Sequence, residues 1–436
     1  MEGIAIATQR HILILVENLP VPFDRRVWQE ARALAGAGHA VSVICPAGKG
    51  HFKSYEVLDG VHIYRHLLRE ARSTKGYLRE YATALFHQMR LSLRARRRQR
   101  IDAIQACNPP DLLFSVALVH KLLFGTRFVF DHHDLCPELY VAKFGRKDIL
   151  YKAMCLFERL TFRAADASIA TNEVFRELAV SRGGMAPDRV TVVKSYPEAE
   201  KFRRTEPDPA LKARARHLVG DVGIMGPQDG VASLVEAMAE LRRRGRDDMH
   251  CVIIGEGPEL SRLRNLSREL GLEEAITFTG YLRGTPLLRH LSALDVGVIP
   301  DPPNAFNDKL SMNKVFEYMM LGLPIVQFAL GQATREAGQA ALVASEHSPQ
   351  ALADAITRLV DDPGRRARMS AFGLETARRE FQWSVEEAKY LAAYRAVLHQ
   401  EPELHDERDH PASRPAAGAE ALSSVPFLPA RRNRAG

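Results

Sequence analysis

The chain has 436 residues, 46% apolar and 26% charged, which is the composition of a globular protein with room for two or three separately cored domains. No apolar run is long enough for a membrane-spanning helix, and the first residues lack the charged start, apolar core and small-residue cleavage site of a secretion signal. The five cysteines are scattered, which excludes a disulfide framework or a zinc site and fits a reducing cytosol, while the net charge of +7 is gathered largely in one segment.

In chain order the first apolar run, His11–Glu17, reads as a strand. After a loop, Val27, Ala31, Leu34 and Ala35 fall on one helical face that Gly36 and Gly38 end. Ala40–Cys45 is the next strand, followed by candidates at Arg127–Phe130, Ala167–Ala170 and Val190–Val193, with helices over 76–100 and 147–165. Within residues 72–100, nine Lys/Arg stand against the single acid Glu80, and Tyr77, Leu78, Tyr81, Leu85 and Phe86 recur at helical spacing beside them. That pattern suits either a solvated helix over ordinary core or an interfacial helix facing an anionic membrane, and nothing accompanies it that indicates nucleic acid.

The second half repeats the alternation. Strands are expected at Val219–Ile224, His250–Ile254, Ile276–Thr279, Val296–Ile299, Pro324–Phe328 and Ala341–Val343. Helices fall between them at Val231–Arg244, Pro258–Leu270, Pro286–Ala293, Met312–Leu321 and Pro349–Val360. Strands separated by helices of this length imply right-handed crossovers and parallel sheets, hence an α/β chain of two Rossmann-like halves. The boundaries read as 1–198 for the first domain, 210–375 for the second, a last helix at 376–399 containing Trp383, and a tail at 400–436 whose Pro, Ala and charge content predicts disorder.

The chemistry-bearing residues gather after strands. Gly220, Gly223, Gly226 and Gly230 punctuate one strand-to-helix turn, and Gly255-Glu256-Gly257-Pro258 the next, where glycines let backbone N–H groups approach a phosphate. Asn307 to Met319 opens with polar residues, and Lys309 and Lys314 could neutralise a leaving diphosphate, with Ser311, Met312 and Asn313 at the helix start. Glu317, within that helix, could accept hydrogen bonds from ribose hydroxyls. In the first half, Asp131-His132-His133-Asp134 ends a strand, where open parallel sheets bind ligands; metal ligation, acid–base chemistry and sugar hydrogen bonding all remain open to it. Asp24-Arg25-Arg26 faces the same edge, to steer phosphate or to cap a helix.

From about His11 to His399 the chain resembles the family 4 retaining glycosyltransferases of GT-B architecture, and within them the bacterial branch that builds O-antigen, capsule and exopolysaccharide. The phrases VPFDRRVWQEARALAGAGHAVSVICP, FVFDHHDLCPELY, MGPQDGV, VIIGEGPEL, ITFTGYL, DVGVIPDP, NDKLSMNKVFEYMMLGLPIV and AGQAALV carry the likeness in order. The resemblance implies two Rossmann-like domains facing a cleft, with the last helix crossing back to the first domain. It also implies a cytoplasmic enzyme, peripheral on the inner membrane face, that takes no cofactor or metal and moves a sugar from a nucleotide diphosphate to a saccharide acceptor carried on polyprenyl diphosphate. His133 would meet the donor sugar, Glu317 the ribose, Ser311–Asn313 the phosphates, and Gly223, Gly226, Gly255, Gly257, Tyr281, Lys309 and Lys314 would complete the donor side. Asp24, Arg25, Arg26, His132 and Asp134 would line the acceptor side.

Several residues depart from that pattern. Lys309 stands where relatives carry the earlier of two glutamates, Gln228-Asp229 replaces a usual lysine, and Ala329, Gln332 and Thr334 replace Asp, Glu and Arg. These losses leave a catalytically weakened partner of an active transferase as the alternative. A manganese phosphoesterase of the DHH class and a nucleotide-sugar epimerase are the other rivals.

Overall fold

The structure, a computed structural model, describes residues 9–68 and 74–399, without the side chains of 74–79; Arg72, Tyr77, Leu78 and the 400–436 tail therefore lie outside what is described. The first domain runs β1 (His11–Leu15), α1 (Arg25–Gly36), β2 (Ala40–Pro46), β3 (Tyr55–Leu58), β4 (Val61–His66), α2 (Thr74–Arg98) and β5 (Ala103–Cys107). It continues with α3 (Phe114–Phe124), β6 (Arg127–His132), α4 (Cys136–Phe144), α5 (Ile149–Ala164), β7 (Ala167–Ala170), α6 (Glu173–Ser181) and β8 (Val190–Val192). The sheet order is β3-β4-β2-β1-β5-β6-β7-β8, parallel throughout except that β3 runs antiparallel to β4. Side-chain alternation along β1 sends Leu13 and Leu15 to one core and Ile12 and Ile14 to the other, so both faces of the sheet are covered.

The second domain holds α7 (Pro209–Lys212), β9 (His217–Val222), α8 (Val231–Arg243), β10 (Met249–Ile254), α9 (Leu260–Glu269), β11 (Ile276–Gly280), α10 (Gly284–Ala293) and β12 (Val296–Ile299). Then come α11 (Asn313–Met320), β13 (Ile325–Gln327), α12 (Gly331–Ala337), β14 (Ala341–Val343), α13 (Pro349–Val360) and α14 (Pro363–Glu380). Its six strands are all parallel in the order β11-β10-β9-β12-β13-β14. The last helix, α15 (Trp383–His399), packs on α1, β7 and β8 of the first domain, with Tyr390, Tyr394 and Val397 in its core. The break before it falls at Phe381, whose ring rests on Tyr196 and Phe316 at centroid distances of 4.9 and 5.0 Å.

Three strands escape the sequence reading. β3 and β4 form a hairpin about Asp59-Gly60, both at positive φ (47° and 79°), which is the turn that an Asp-Gly pair favours between extended runs. β5, Ala-Ile-Gln-Ala-Cys, is short and weakly β-prone, and it owes its strand to pairing with β1 and β6 on either side.

In each sheet the chain reverses its direction of growth at one place, between β1 and β5 and between β9 and β12. Loops at the carboxyl ends of these four strands are where an open parallel sheet admits ligands. They carry most of the residues singled out above.

Candidate active site

Asp24, Arg25 and Arg26 take three separate roles. Asp24 caps α1, its Oδ1 accepting from Val27 N at 3.1 Å, so it closes the helix rather than meeting a ligand. Arg25 points across the cleft to Glu317 (2.8 Å). Arg26 is buried at 8% exposure and donates to Asp131 Oδ1 (2.8 Å), the Val193 carbonyl (2.8 Å) and Ser195 Oγ (2.9 Å), and it pairs with Glu30 at 3.1 Å. It is therefore a structural counter-ion, not an acceptor-side residue.

The Asp-His-His-Asp stretch is divided by strand alternation. Asp131 and His133 face one side, where His133 Nε2 lies 2.6 Å from Asp131 Oδ2. Arg26 Nε, itself a donor, lies 3.1 Å from the same nitrogen, but the shorter contact is to a carboxylate that can only accept, so Nε2 carries the proton and Nδ1 is left for the cleft. Burial alone would raise the Asp131 carboxyl, but Arg26 and His133 beside it hold it well below the usual range. His132 points the other way, fully buried among Phe130, Phe162 and Phe175 at ring distances of 5.1, 5.3 and 4.8 Å, with both nitrogens unpartnered. Burial pushes its pKa down to about 3. His132 is thus a core ring, and the expectation that it lines the acceptor side is corrected. Asp134 is half-buried, and burial raises its carboxyl. The loop carrying both is fixed by Asn108, which sequence reading passed over: its Oδ1 accepts from His133 N (2.7 Å) and Asp134 N (3.1 Å). Glu17 was passed over as a site residue as well. It lies just past β1, 3% exposed with neither oxygen partnered, and burial, then Glu80, pushes its carboxyl up to about 8.

On the second domain the two glycine turns pack on one another. A Cβ on Gly255 (φ 140°) would lie 1.8 Å from the Gly223 carbonyl, and one on Gly257 2.4 Å from that of Met225. Gly226 donates its N–H to Asp229 Oδ2 at 2.8 Å. Lys314, expected beside a diphosphate, is instead consumed by two buried carboxylates, Asp221 (3.1 Å) and Asp301 (2.8 Å). Ser311 does not cap α11: its hydroxyl donates to Glu336 Oε1 (2.7 Å), and Met312 holds the cap position without a side-chain bond. The first N–H groups of that helix, from Asn313 onward, thus have no side-chain cap.

Several of the donor-side residues reach the first domain directly. Arg25 pairs with Glu317, Glu138 with Lys309 (2.9 Å), and Lys194 with Glu336 (3.4 Å). Asn172 Nδ2 donates to the Lys309 carbonyl (2.9 Å) and to Ser311 Oγ (3.1 Å), and the Tyr281 ring rests on Phe23 at 5.2 Å. Two cavities of about 380 and 460 Å³ share Arg204 and Ser370 at the back of the second domain, whereas side chains from both domains meet across the cleft. Of the three departures, Thr334 Oγ1 accepts from Gln327 Nε2 (2.8 Å) and Leu330 N (3.1 Å), Gln332 donates to Glu336 (2.9 Å), and Ala329 is exposed.

Glu30, Cys107, Asp131 and His133 bring four potential metal-ligand atoms within 4.8 Å of one another. The Arg26 guanidinium already lies among them, bonded to Asp131 and paired with Glu30, and supplies the positive charge that a cation would. A DHH-type metal site would need Asp131, His132 and His133 to converge, and the fold sends His132 to the opposite face.

This pair of facing Rossmann-like domains, spanned by a returning last helix, is the GT-B architecture. Residues 24–195 match the family model described as glycosyl transferase 4-like domain, and residues 216–362 match that of glycosyl transferases group 1. Each of the two domains thus matches a glycosyltransferase family model. It is 31% identical over 204 residues to the GDP-mannose-dependent alpha-(1-6)-phosphatidylinositol monomannoside mannosyltransferase of Mycobacterium tuberculosis, covering 44% of this chain and 52% of that one. The chain spans about half the length of the curated relatives it matches. Sucrose-phosphate synthase from Thermosynechococcus elongatus superposes with a TM-score of 0.72 at 18% identity, over 89% of this chain and 99% of the other. Anabaena HepE in complex with UDP and glucose gives 0.66 at 17%, over 88% and 99%. No helix among the described residues is long and apolar enough to cross a membrane.

Proposed function

We propose that the chain is a retaining transferase that moves a hexosyl or acetamidosugar group from a nucleoside diphosphate to a lipid-linked saccharide, without a metal ion, in cell-surface polysaccharide synthesis. The observation that carries this reading is the pairing of Arg25 with Glu317 and of Asn172 with Ser311, which sets the first-domain edge carrying His133 opposite the uncapped start of α11. The acceptor oxygen bonds to the sugar's anomeric carbon as the bond to the β-phosphate breaks, and the acceptor proton passes to the departing diphosphate. The α11 N–H groups and helix dipole stabilise that diphosphate, the role first given to Lys314. Glu317 exchanges Arg25 for the ribose hydroxyls; an ion pair this exposed is worth about 0.2–1 kcal/mol, small enough for a ligand to displace. The unpartnered carboxyl group of Glu17 is suited to exchange hydrogen bonds with acceptor hydroxyls.

The reading is tested by thermal shift against UDP, GDP, ADP and dTDP, with and without EDTA. At a hundred times its dissociation constant one nucleotide should stabilise by about 2.7 kcal/mol. The shift should survive EDTA and vanish in Glu317→Ala. Silence with every nucleotide, or a shift with manganese alone, sinks the proposal. Nucleotide binding with no transfer to any acceptor would favour the weakened partner, a reading that the spent Thr334 and the missing carboxylate at Ala329 support.

For the acceptor side, exposed apolar residues on α2 and α3 lie among basic ones. Phe86, Leu122 and Leu123 are 64%, 75% and 68% exposed, and Arg90, Arg94 and Arg97 are exposed beside them on α2. Such a face suits peripheral docking on anionic lipid. The chain should co-sediment with phosphatidylglycerol vesicles and not with phosphatidylcholine, and Phe86→Ser with Leu122→Ser and Leu123→Ser should abolish it. Equal recovery with both lipids removes the membrane part of the proposal.

A further inference from the structure

The crossing helix does more than fill the first core. Tyr390 and Tyr394, one turn apart on α15 and 0% and 1% exposed, both donate to Gln105 Oε1 at 2.7 Å. Gln105 sits at the centre of β5 and is itself fully buried. Because the Asp131 carboxylate can only accept, Nε2 faces it, donating to Asp131 Oδ2 (2.9 Å) and to Glu30 Oε2 (2.7 Å), and the amide oxygen is left to accept from both phenols. All four hydrogen-bonding valences of the amide are thereby used. Asp131 is fixed in turn: Oδ1 accepts from Arg26, while Oδ2 accepts from Gln105 and from His133 Nε2. Around this line stand Arg26, Glu30, Cys107 and Ser195; burial, then the Asp131 charge, raises the Glu30 carboxyl well above the usual range.

For stability alone the arrangement is a poor choice. Buried polar networks cost desolvation at every member, and apolar side chains of similar volume often do as well or better. Phenylalanines at 390 and 394 would keep the packing against α1. What the hydroxyls add is a fixed amide, and through it a fixed carboxylate and imidazole.

We propose that Tyr390 and Tyr394 are positioning residues for His133: acting through Gln105 and Asp131, they hold its proton on Nε2 and present Nδ1 to the cleft. The proposal rests on the reading of His133 as a cleft residue. It makes the seating of a helix that leaves the second domain a condition for the state of a side chain in the first.

The test uses the ligand-free chain, so that it stands apart from the transferase reading. In protein labelled with ¹⁵N-histidine, the His133 ring signals are identified by their loss in His133→Gln. At alkaline pH the parent protein should show His133 as the Nε2–H form alone. In Tyr390→Phe/Tyr394→Phe, and equally in Gln105→Leu, the ring should show a mixture of both neutral forms, while the His132 and His120 signals and the near-ultraviolet circular dichroism stay as they were. Combining all three changes should add nothing to either. Should the double variant fail to fold, each single Tyr→Phe leaves one hydroxyl on Gln105 and should give an intermediate mixture. An unaltered Nε2–H signal in folded Gln105→Leu, or in both single variants, overturns the proposal. If instead the relay behaves as stated and His133→Gln keeps full transfer activity, the catalytic reading of His133 fails and the relay stands.

Discussion

His132 and His133 are neighbours in sequence and opposites in structure, because the last residues of a strand alternate sides. One ring is held by a carboxylate at the cleft, and the other is packed among three phenylalanines. The buried ring makes a pH prediction whose sign follows from its lowered pKa. Its folded value of about 3 lies below the unfolded value of 6.5, so its stabilising contribution is complete above 6.5 and is lost as pH falls from there toward 3. One proton taken up corresponds to about 1.4 kcal/mol per pH unit in that window. His132→Phe should therefore be within about 1 kcal/mol of the parent at pH 7.5 and clearly more stable at pH 5, measured by urea unfolding at both. A loss of transfer activity with unchanged stability would instead return His132 to the acceptor site.

At the scale of elements, α11 shows how one helix is tied to its sheet. Val315, Phe316, Met319 and Met320 bury the face that their spacing announces in the sequence. The two lysines near its start look alike in sequence and differ by what surrounds them. Lys314 joins β9 and the loop after β12 through buried Asp221 and Asp301, whereas Lys309 forms a half-exposed pair with Glu138. Lys314→Met strands two buried carboxylates, and unfolding should show a loss of about 3–5 kcal/mol. Lys309→Ala should cost no more than about 1 kcal/mol. Equal losses would mean that the burial contrast does not govern them. No local signal separates the two lysines, since Lys314 finds Asp301 13 and Asp221 93 positions away, and Lys309 finds Glu138 171 positions away.

At the scale of the molecule, the two domains meet through partly exposed contacts, among them Arg25–Glu317, Glu138–Lys309, Lys194–Glu336, Lys49–Glu256, Asn172 on Ser311 and Phe23 on Tyr281, and through Phe306, buried in the first domain's core. Interfaces of this kind permit relative domain motion. Arg25→Ala with Lys309→Ala should enlarge the radius of gyration in small-angle scattering, and the nucleotide chosen by the thermal-shift panel should reverse the change. No enlargement would mean that the returning α15, not the ion pairs, sets the closure.

The sequence alone determined the alternation of strands and helices, the two-domain α/β plan and the places where glycines and charged residues follow strands. These depend on periodicity, caps and turns, which are local. Even the missed hairpin carried its Asp59-Gly60 signal, whereas β5 had none beyond its neighbours. Tertiary structure decided which charged and polar residues face the cleft and which serve the core. Arg25 meets Glu317 across 292 positions, and Tyr390 meets Gln105 across 285. The worth of a charge or a hydroxyl is set by what desolvates it and what bonds it, and both arrive from chain segments that come together only in the fold.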